Sequence, residues 1–500
     1  MALRPETVLR WFAMLAIAPP MLAQTNPPIT APLTVSSSSG YFQDADGRAL
    51  ILNGSQTWNT LQDWGTDGSI QALDFDAFTG FLTSHGHNFT LFWRVEQPKF
   101  CNLPVTEKSP PDFVVTPQPW LRTGPGKATD GELKFDLTKF DPRFFDTLRT
   151  RTEKLNKAGI YVGVYLFTGE FLNIFRCSTD GYAFTGANNI NGVDDAYTTG
   201  IAGNGSMEMT APNRITELQD AFADKVIDTL NDLPNVLWIV SEEASPTSIW
   251  WNDHMIAHVR SYESTKRLQH AIGYAEPIGA PDSVIYNSNA DWIAPAETIS
   301  PIAYCGNGKP ECKAVVNDSD HSYWEMWQLK PQQNRNYIWE NLLNGKSVLF
   351  MDPYLVYYPR QDRNKCISPV RGICSSPDPR YENFRNNLGY SLRYSRRLNL
   401  ANVRPQRELS STFFCLAQTP SAGAEYLVYA PKGGSFEVDL SAMPPSRKLA
   451  VEWFNPSTGE TTARAPIPAG SHAQRFTTPF DGDAVLYLVD TAGHAASSGH

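Results

Sequence analysis

The chain has 500 residues, 42 of them Lys or Arg and 52 Asp or Glu, for a formal net charge of −10. That balance argues against nucleic acid or an anionic membrane as the main partner. The length exceeds one typical domain and suits a barrel with a smaller module attached.

The first segment reads as an address. Arg4 and Arg10 precede an apolar run from Trp11 to Ala23 that Pro19-Pro20 interrupts, with Ala23-Gln24 as the cleavage point. The run is too short to span a bilayer, and no other segment is long and apolar enough to be a membrane helix. A secreted or periplasmic protein with no integral span after signal removal is therefore expected. Residues 24–40, rich in Pro, Thr and Ser, read as a flexible lead-in, and residues 493–500 as a disordered tail. The seven cysteines fit an oxidising compartment. Cys305/Cys312 and Cys366/Cys374 bracket short loops and are expected to pair; Cys101 with Cys177 is a further candidate pair, and Cys415 is left over.

From residue 41 to about 405, strands alternate with helices. Tyr41 to Ile51 reads as a hairpin turning at Asp44-Ala-Asp-Gly47, and Leu50-Ile-Leu52 as the first barrel strand. A helix from about Asp76 to Ser84 leads into a strand at Asn88–Arg94, followed by a long loop. Asp141-Pro142 reads as an N-cap with proline at the first helical position; Phe144, Leu148 and Leu155 share one face, and Gly159 ends that helix. Ile160 to Phe167 is a continuous apolar run, as in a parallel strand buried on both faces. A helix with Ile215, Leu218, Phe222, Val226 and Leu230 on one stripe delivers the next strand, Asn235–Ala244. Further strands are expected at Gln269–Tyr274, Trp292–Ala294, Ala314–Val316 and Ser347–Met351. Repeated βα units of this kind, with no Gly-rich phosphate loop, predict an α/β fold, a (β/α)8 TIM barrel. Residues 406–492 change to short strands separated by Gly, Pro, Asn and Ser, which predicts a small all-β sandwich.

Two of these strands end in acids. Asn235–Ala244 finishes in Glu242-Glu243, and Ala314–Val316 runs into Asn317-Asp318-Ser319-Asp320-His321. Carboxylates carried by two strands to the mouth of a barrel are the minimum equipment for hydrolysing a glycosidic bond. Trp58, Trp93 and Trp120 lie near strand ends or in long loops, where flat rings stack on sugar faces. Asn188 and Asn189 offer amides to sugar hydroxyls or to their own loop, and Arg94 is a candidate for holding a carboxylate or a sugar hydroxyl. Plainer readings stand beside these. Adjacent acids after a strand suit a helix N-terminus. Asp318-Ser-Asp-His321 also fits an Asx-capped turn, or oxygen and imidazole donors for metal-assisted hydrolysis by Asp318, Asp320 and His321. No cofactor and no metal is expected. A carbohydrate-binding surface protein without catalysis is the other class of function.

Several segments carry a resemblance: Tyr41-Phe-Gln-Asp-Ala-Asp-Gly-Arg48, Gly54-Ser-Gln-Thr-Trp58, Gly86-His-Asn-Phe89, Trp120-Leu-Arg-Thr-Gly-Pro-Gly126, Lys134–Asp141, Asn188-Asn-Ile-Asn-Gly192, Asp318-Ser-Asp-His321 and Met351-Asp-Pro-Tyr354. Together with Trp453–Gly459 and Phe480-Asp-Gly-Asp483 they cover most of residues 41–490. The chain resembles a family of bacterial secreted proteins related to clan A glycoside hydrolases. Its distant relatives include apiosidase-type barrels bearing a collagen-binding-type β-sandwich. The resemblance implies a carbohydrate substrate, of the plant cell-wall type by analogy. In that clan the fourth strand ends in Asn-Glu, the Glu serving as acid/base; Glu243 matches it, and Glu242 stands where the clan has Asn. An ionised Glu cannot donate a hydrogen bond as Asn does. The seventh strand of the clan ends in a Glu nucleophile; Asp318 matches the strand end, with Asp320 as the other candidate. His321 is expected to orient one of the aspartates, and Tyr354 joins the substrate-binding candidates through its motif.

Overall fold

The computed structural model describes residues 26–66, 69–100, 113–173, 176, 178–195, 205–296, 312–323, 330–355, 376–418, 423–470 and 472–491. Eight parallel strands make one sheet: β1 (Gly54–Gln56), β2 (Phe89–Phe92), β3 (Tyr161–Thr168), β4 (Val236–Glu242), β5 (Ile272–Ala275), β6 (Trp292–Ala294), β7 (Ala314–Asp318) and β8 (Ser347–Met351). Each strand from β2 onward pairs with its successor, and β8 pairs with β1. Asn88 closes the remaining seam. Its backbone N–H donates to the Asn53 carbonyl at 3.1 Å. Its Oδ1 accepts from the Asn53 N–H at 2.9 Å, and its Nδ2 donates to the Ile51 carbonyl at 2.8 Å. The result is a (β/α)8 barrel. Glycine is required beside this seam, since a Cβ on Gly54 would lie 1.8 Å from the Phe89 carbonyl oxygen.

The longer helices around the sheet are α1 (Phe75–Ser84), α2 (Pro142–Lys157), α3 (Arg214–Leu230), α4 (Ile249–Glu263), α5 (Pro331–Leu343) and α6 (Glu382–Ser395). Their starts follow capping chemistry. Asp74 and Asp141 accept from the first-turn N–H groups of α1 and α2, and Asn213 with Thr216 forms a reciprocal capping box on α3. Side chains alternate across the strands. Leu91, Tyr165, Leu237, Ile239, Trp292 and Val316 share the cluster inside the barrel. Val162, Val164, Val236, Trp238 and Val240 pack outward on Leu218, Phe222, Met255 and Val259 of the helices.

Three expectations change in detail. The first barrel strand is Gly54–Gln56; Ala49–Leu50 instead pairs with Phe42–Gln43. That hairpin turns at Asp44 as predicted, and Phe42 sits 6.4 Å from the Trp292 ring at the strand-start end of the barrel. Part of the expected lead-in is also bound: Thr34–Val35 pairs with Phe42–Gln43, and burial of Leu33 holds it there. The stretch expected as a long loop after β2 carries an antiparallel pair, Trp120–Lys127 with Leu133–Phe140, and supplies Phe113–Thr116 to a second small sheet. Cys101, Cys177, Cys305, Cys366 and Cys374 lie outside the described residues, and Cys415 is a buried free thiol.

The C-terminal sandwich has a six-stranded antiparallel sheet with Arg404–Pro405 and Thr461–Pro468 at its edges, and a two-stranded one, Ser435–Asp439 with Ala473–Thr477. Successive residues of Glu425–Ala430 serve two cores. Tyr426 and Val428 face Phe436, Val438 and Phe476 of the small sheet. Leu427 and Tyr429 face Trp339, Leu342, Leu392 and Tyr394 on α5 and α6. Arg335 of α5 adds a buried ion pair to Asp483 at 2.6 Å.

Along the α3–α4 contact, acids and rings meet at four-residue spacing. His254 Nε2 lies 2.9 Å from Asp220 and His258 Nε2 2.8 Å from Asp224, and the Tyr262 hydroxyl donates to Asp228 at 3.0 Å. The rings of Trp250, His254, His258 and Tyr262 stack in one file. Burial disfavours charge on His258, but the hydrogen bond to Asp224 and the charges of Asp220 and Asp224 outweigh it and raise its pKa. A raised folded-state pKa adds stability that is complete below the ordinary value of about 6.5 and is lost as pH rises through the folded value. Urea unfolding of the wild type should therefore show stability falling across that window, with a shallower fall in His258→Gln. Equal slopes would show that the pair does not couple to folding.

Candidate active site

The site is built where β3, β4 and β7 end. On β4, Val240 packs against the helices and Ser241 also turns outward, donating to Asn252 of α4 at 2.6 Å. Two consecutive outward residues break the alternation and bring Glu242 back to the inside. The paired stretch of β3 makes the same step, with Leu166 and Phe167 both in the helix-side core. Inside, the Tyr165 hydroxyl donates to Glu242. Burial first, then the charges of Glu242 and Asp318, the Glu242 hydrogen bond and the charge of Glu243, push the Tyr165 pKa well above its ordinary value. The phenol therefore keeps its proton and acts as a donor. Acids from β4 and β7 thus bear on one buried phenol from β3.

Glu243 follows directly, half-buried, with φ at +40°, one of two non-glycine residues in the left-handed region among those described. The backbone can pass there because Gly169, just after β3, has no side chain: a Cβ on it would lie 2.4 Å from Ala244 Cα and 2.8 Å from the Glu243 carbonyl. Carboxylate oxygens of Glu242, Glu243 and Asp320 lie within 4.8 Å of one another. Asp318 is buried and its side chain caps the short helix Ser319–Ser322, accepting from the Asp320 N–H at 3.1 Å. Ser319 Oγ accepts from the Met351 N–H at 2.9 Å, tying this turn to β8. The capped turn is what carries the Asp320 carboxylate to the two glutamates.

The binding candidates are placed differently. Trp93 faces the barrel interior, its ring 5.5 Å from that of Tyr165, and so backs the cluster through that phenol. Arg94, one residue on, faces the helices. It donates to the Leu166 carbonyl at 2.7 Å, pairs with Glu96 at 2.8 Å and lies over the Phe222 ring. Burial pushes the Glu96 carboxyl up to about 7, against the opposing pull of Arg94. Trp120 is enclosed between Phe184 and Phe222, and Trp58 is buried in the barrel-side core. The Asn188 amide accepts from Thr129 and donates to Tyr182; that of Asn189 donates to the carbonyls of Ala183, Thr185 and Val193, so both tie their own loop together. Tyr354 packs on Phe78 and Phe81 of α1. The His321 side chain lies outside the described residues. Tyr165 and Gly169 are the residues that sequence reasoning missed. The signal for Tyr165 was parity, since it shares the face of Gly163 while Val162 and Val164 take the other.

Residues 415–489 match the family model described as "Putative collagen-binding domain of a collagenase". No curated protein sequence matches the chain. Among solved structures, a glycoside hydrolase aligns with a TM-score of 0.56 at 13% identity, over 92% of this chain and 97% of its own. A family 5 glycoside hydrolase from Bacteroides vulgatus aligns with a TM-score of 0.59 at 13% identity, over 92% of this chain and 93% of its own. The likeness to both is one of fold.

A left-handed backbone on a charged, non-glycine residue costs on the order of 1–3 kcal/mol. Glu243→Gly should therefore unfold at higher urea than the wild type, while Glu243→Gln stays close to it. A glycine variant less stable than the wild type would mean that no strain is stored at this position.

Proposed function

We propose that this protein is a secreted glycoside hydrolase acting on a poly- or oligosaccharide of the plant cell-wall type. The observation that carries the reading is the convergence of the Glu242, Glu243 and Asp320 oxygens, within 4.8 Å of one another, at the strand-end mouth of the barrel. Active sites of (β/α)8 enzymes sit at that face. Two solved structures of this fold are glycoside hydrolases. The resemblance noted in the sequence and the seven cysteines of the chain fit an enzyme exported to an oxidising compartment.

Acid oxygens within 4.8 Å of one another are closer than the spacing inverting enzymes need for their water, which favours double displacement with retention at the anomeric carbon. In this reading Glu243 gives its proton to the leaving oxygen while an Asp320 oxygen attacks the anomeric carbon. Water then opens the glycosyl ester, with Glu243 taking the proton back. Asp318 holds the turn that presents Asp320, a role different from the nucleophile its strand-end position implied.

Reducing-sugar release from a broad panel of plant glycans is the test. Glu243→Gln and Asp320→Asn should each lower kcat/KM by about 10²–10⁴. Asp318→Asn should lose less, because Asn also caps helices well. The first-formed sugar, followed by NMR, should keep its anomeric configuration, and excess chelator should leave the rate unchanged. Full activity in both Glu243→Gln and Asp320→Asn would remove the chemistry from this cluster.

A further inference from the structure

We propose that Tyr165 and Glu242 form a positioning pair, in which the phenol fixes Glu242 as an ionised acceptor and the charge so held keeps the transferable proton on Glu243. The inference rests on the glycoside hydrolase reading, because it assigns a task to the carboxylate that this chain carries beside the acid/base.

The geometry separates the two glutamates. Glu242 has no exposed surface and one of its oxygens accepts from Tyr165; Glu243 is half-buried on a strained turn. A group that exchanges protons with a leaving oxygen has to reach the cleft, and Glu243 does so better. A carboxylate that accepts a hydrogen bond from a phenol is favoured in its charged form, and a like charge within a few ångströms disfavours ionisation of its neighbour. Tyr165 suits this task because its own deprotonation is opposed by burial and by the acids around it. The other described acids bearing on the pair are Asp318, which acts on the Tyr165 phenol, and Asp320, whose oxygen lies within 4.8 Å of both glutamates. Trp93 covers the phenol ring. Adjacent acids on one strand end thus differ in burial and surroundings: Glu242 is enclosed and meets the Tyr165 donor on the next strand, and Glu243 is half-buried on the turn.

The experiment compares wild type, Tyr165→Phe, Glu242→Gln and the double variant. Two pH-dependent quantities are read: the alkaline limb of kcat/KM on the best glycan, and the half-point of carbodiimide labelling at Glu243 by peptide mass spectrometry. Both should move down by about one to two pH units in each single variant, and the double variant should move no further than Glu242→Gln alone. Circular dichroism and unfolding midpoints identify any variant that fails to fold, and Tyr165→Trp, which removes the hydroxyl with a larger ring, gives an independent second removal. A fall in rate that is uniform across pH, with the labelling half-point unmoved, would overturn the proposal and leave Tyr165 as packing. If no glycan is hydrolysed by the wild type, the glycosidase reading fails, and the labelling half-points alone decide whether the pair holds a proton on Glu243.

Discussion

Everything in this protein hangs on a seam two asparagines wide. A sheet of eight parallel strands has two free edges until β1 meets β2, and in parallel sheets such edges leave backbone groups unpaired. Asn88 meets the β1 side with its backbone and both ends of its amide, while Asn53 reaches across to the Val348 N–H on β8 at 2.7 Å and to Ser391 of α6. The two Asn amides thus divide the work: that of Asn88 ties β2 to the β1 side, and that of Asn53 ties the β1 side to β8 and α6. Gly54 lets the two backbones approach, and Ser347 Oγ accepts the Leu52 N–H beside it. Because the ring is closed there, β3, β4 and β7 point their ends at a common centre, and acids far apart in sequence meet.

The same economy of backbone geometry explains the site. Parallel strands buried on both faces are largely apolar, and on β4 the acid turns inward where regular alternation stops. Both β3 and β4 stop at the same register, Phe167 opposite Ser241. One extra outward residue on each strand turns Glu242 inward and leaves Glu243 on a turn that Gly169 permits. The cost is local strain and a buried carboxyl group, and Tyr165 compensates part of the second by hydrogen bonding.

Much of this was readable in the chain, and the rest turns on which way side chains face and what they meet there. Long periodic features, such as the Ile215–Leu230 stripe and the Asp141-Pro142 cap, were readable because each depends only on neighbours in sequence. So was the strand ending in two acids. Reading Trp93 and Arg94 together as cleft residues ignored the two-residue period of a strand: consecutive side chains face opposite ways, and Arg94 went to the helices. Asn188 and Asn189 look like ligands for hydroxyls, but a loop that leaves three carbonyls pointing at one amide uses that amide itself. Asp318 holds the strand end that family comparison favours; one of its oxygens caps the following turn, and that turn brings Asp320 to the glutamates as well. Parity along β3 places Tyr165 on the inner face, but its partner Glu242 lies on the next strand, and that pairing is something no local pattern encodes.

The sandwich has a consequence for how such a protein can be inherited. Its large sheet is shared between two cores, and the outer one belongs equally to α5 and α6, where Trp339, Tyr394, Tyr429, Phe454 and Tyr487 interlock. A gene fusion that moved this sandwich to another barrel would uncover that aromatic face on both pieces and strand the buried charge of Asp483 without Arg335. Domains joined by linkers can be shuffled freely; this one is bound to its barrel by what it would expose on leaving, so barrel and sandwich are expected to descend together.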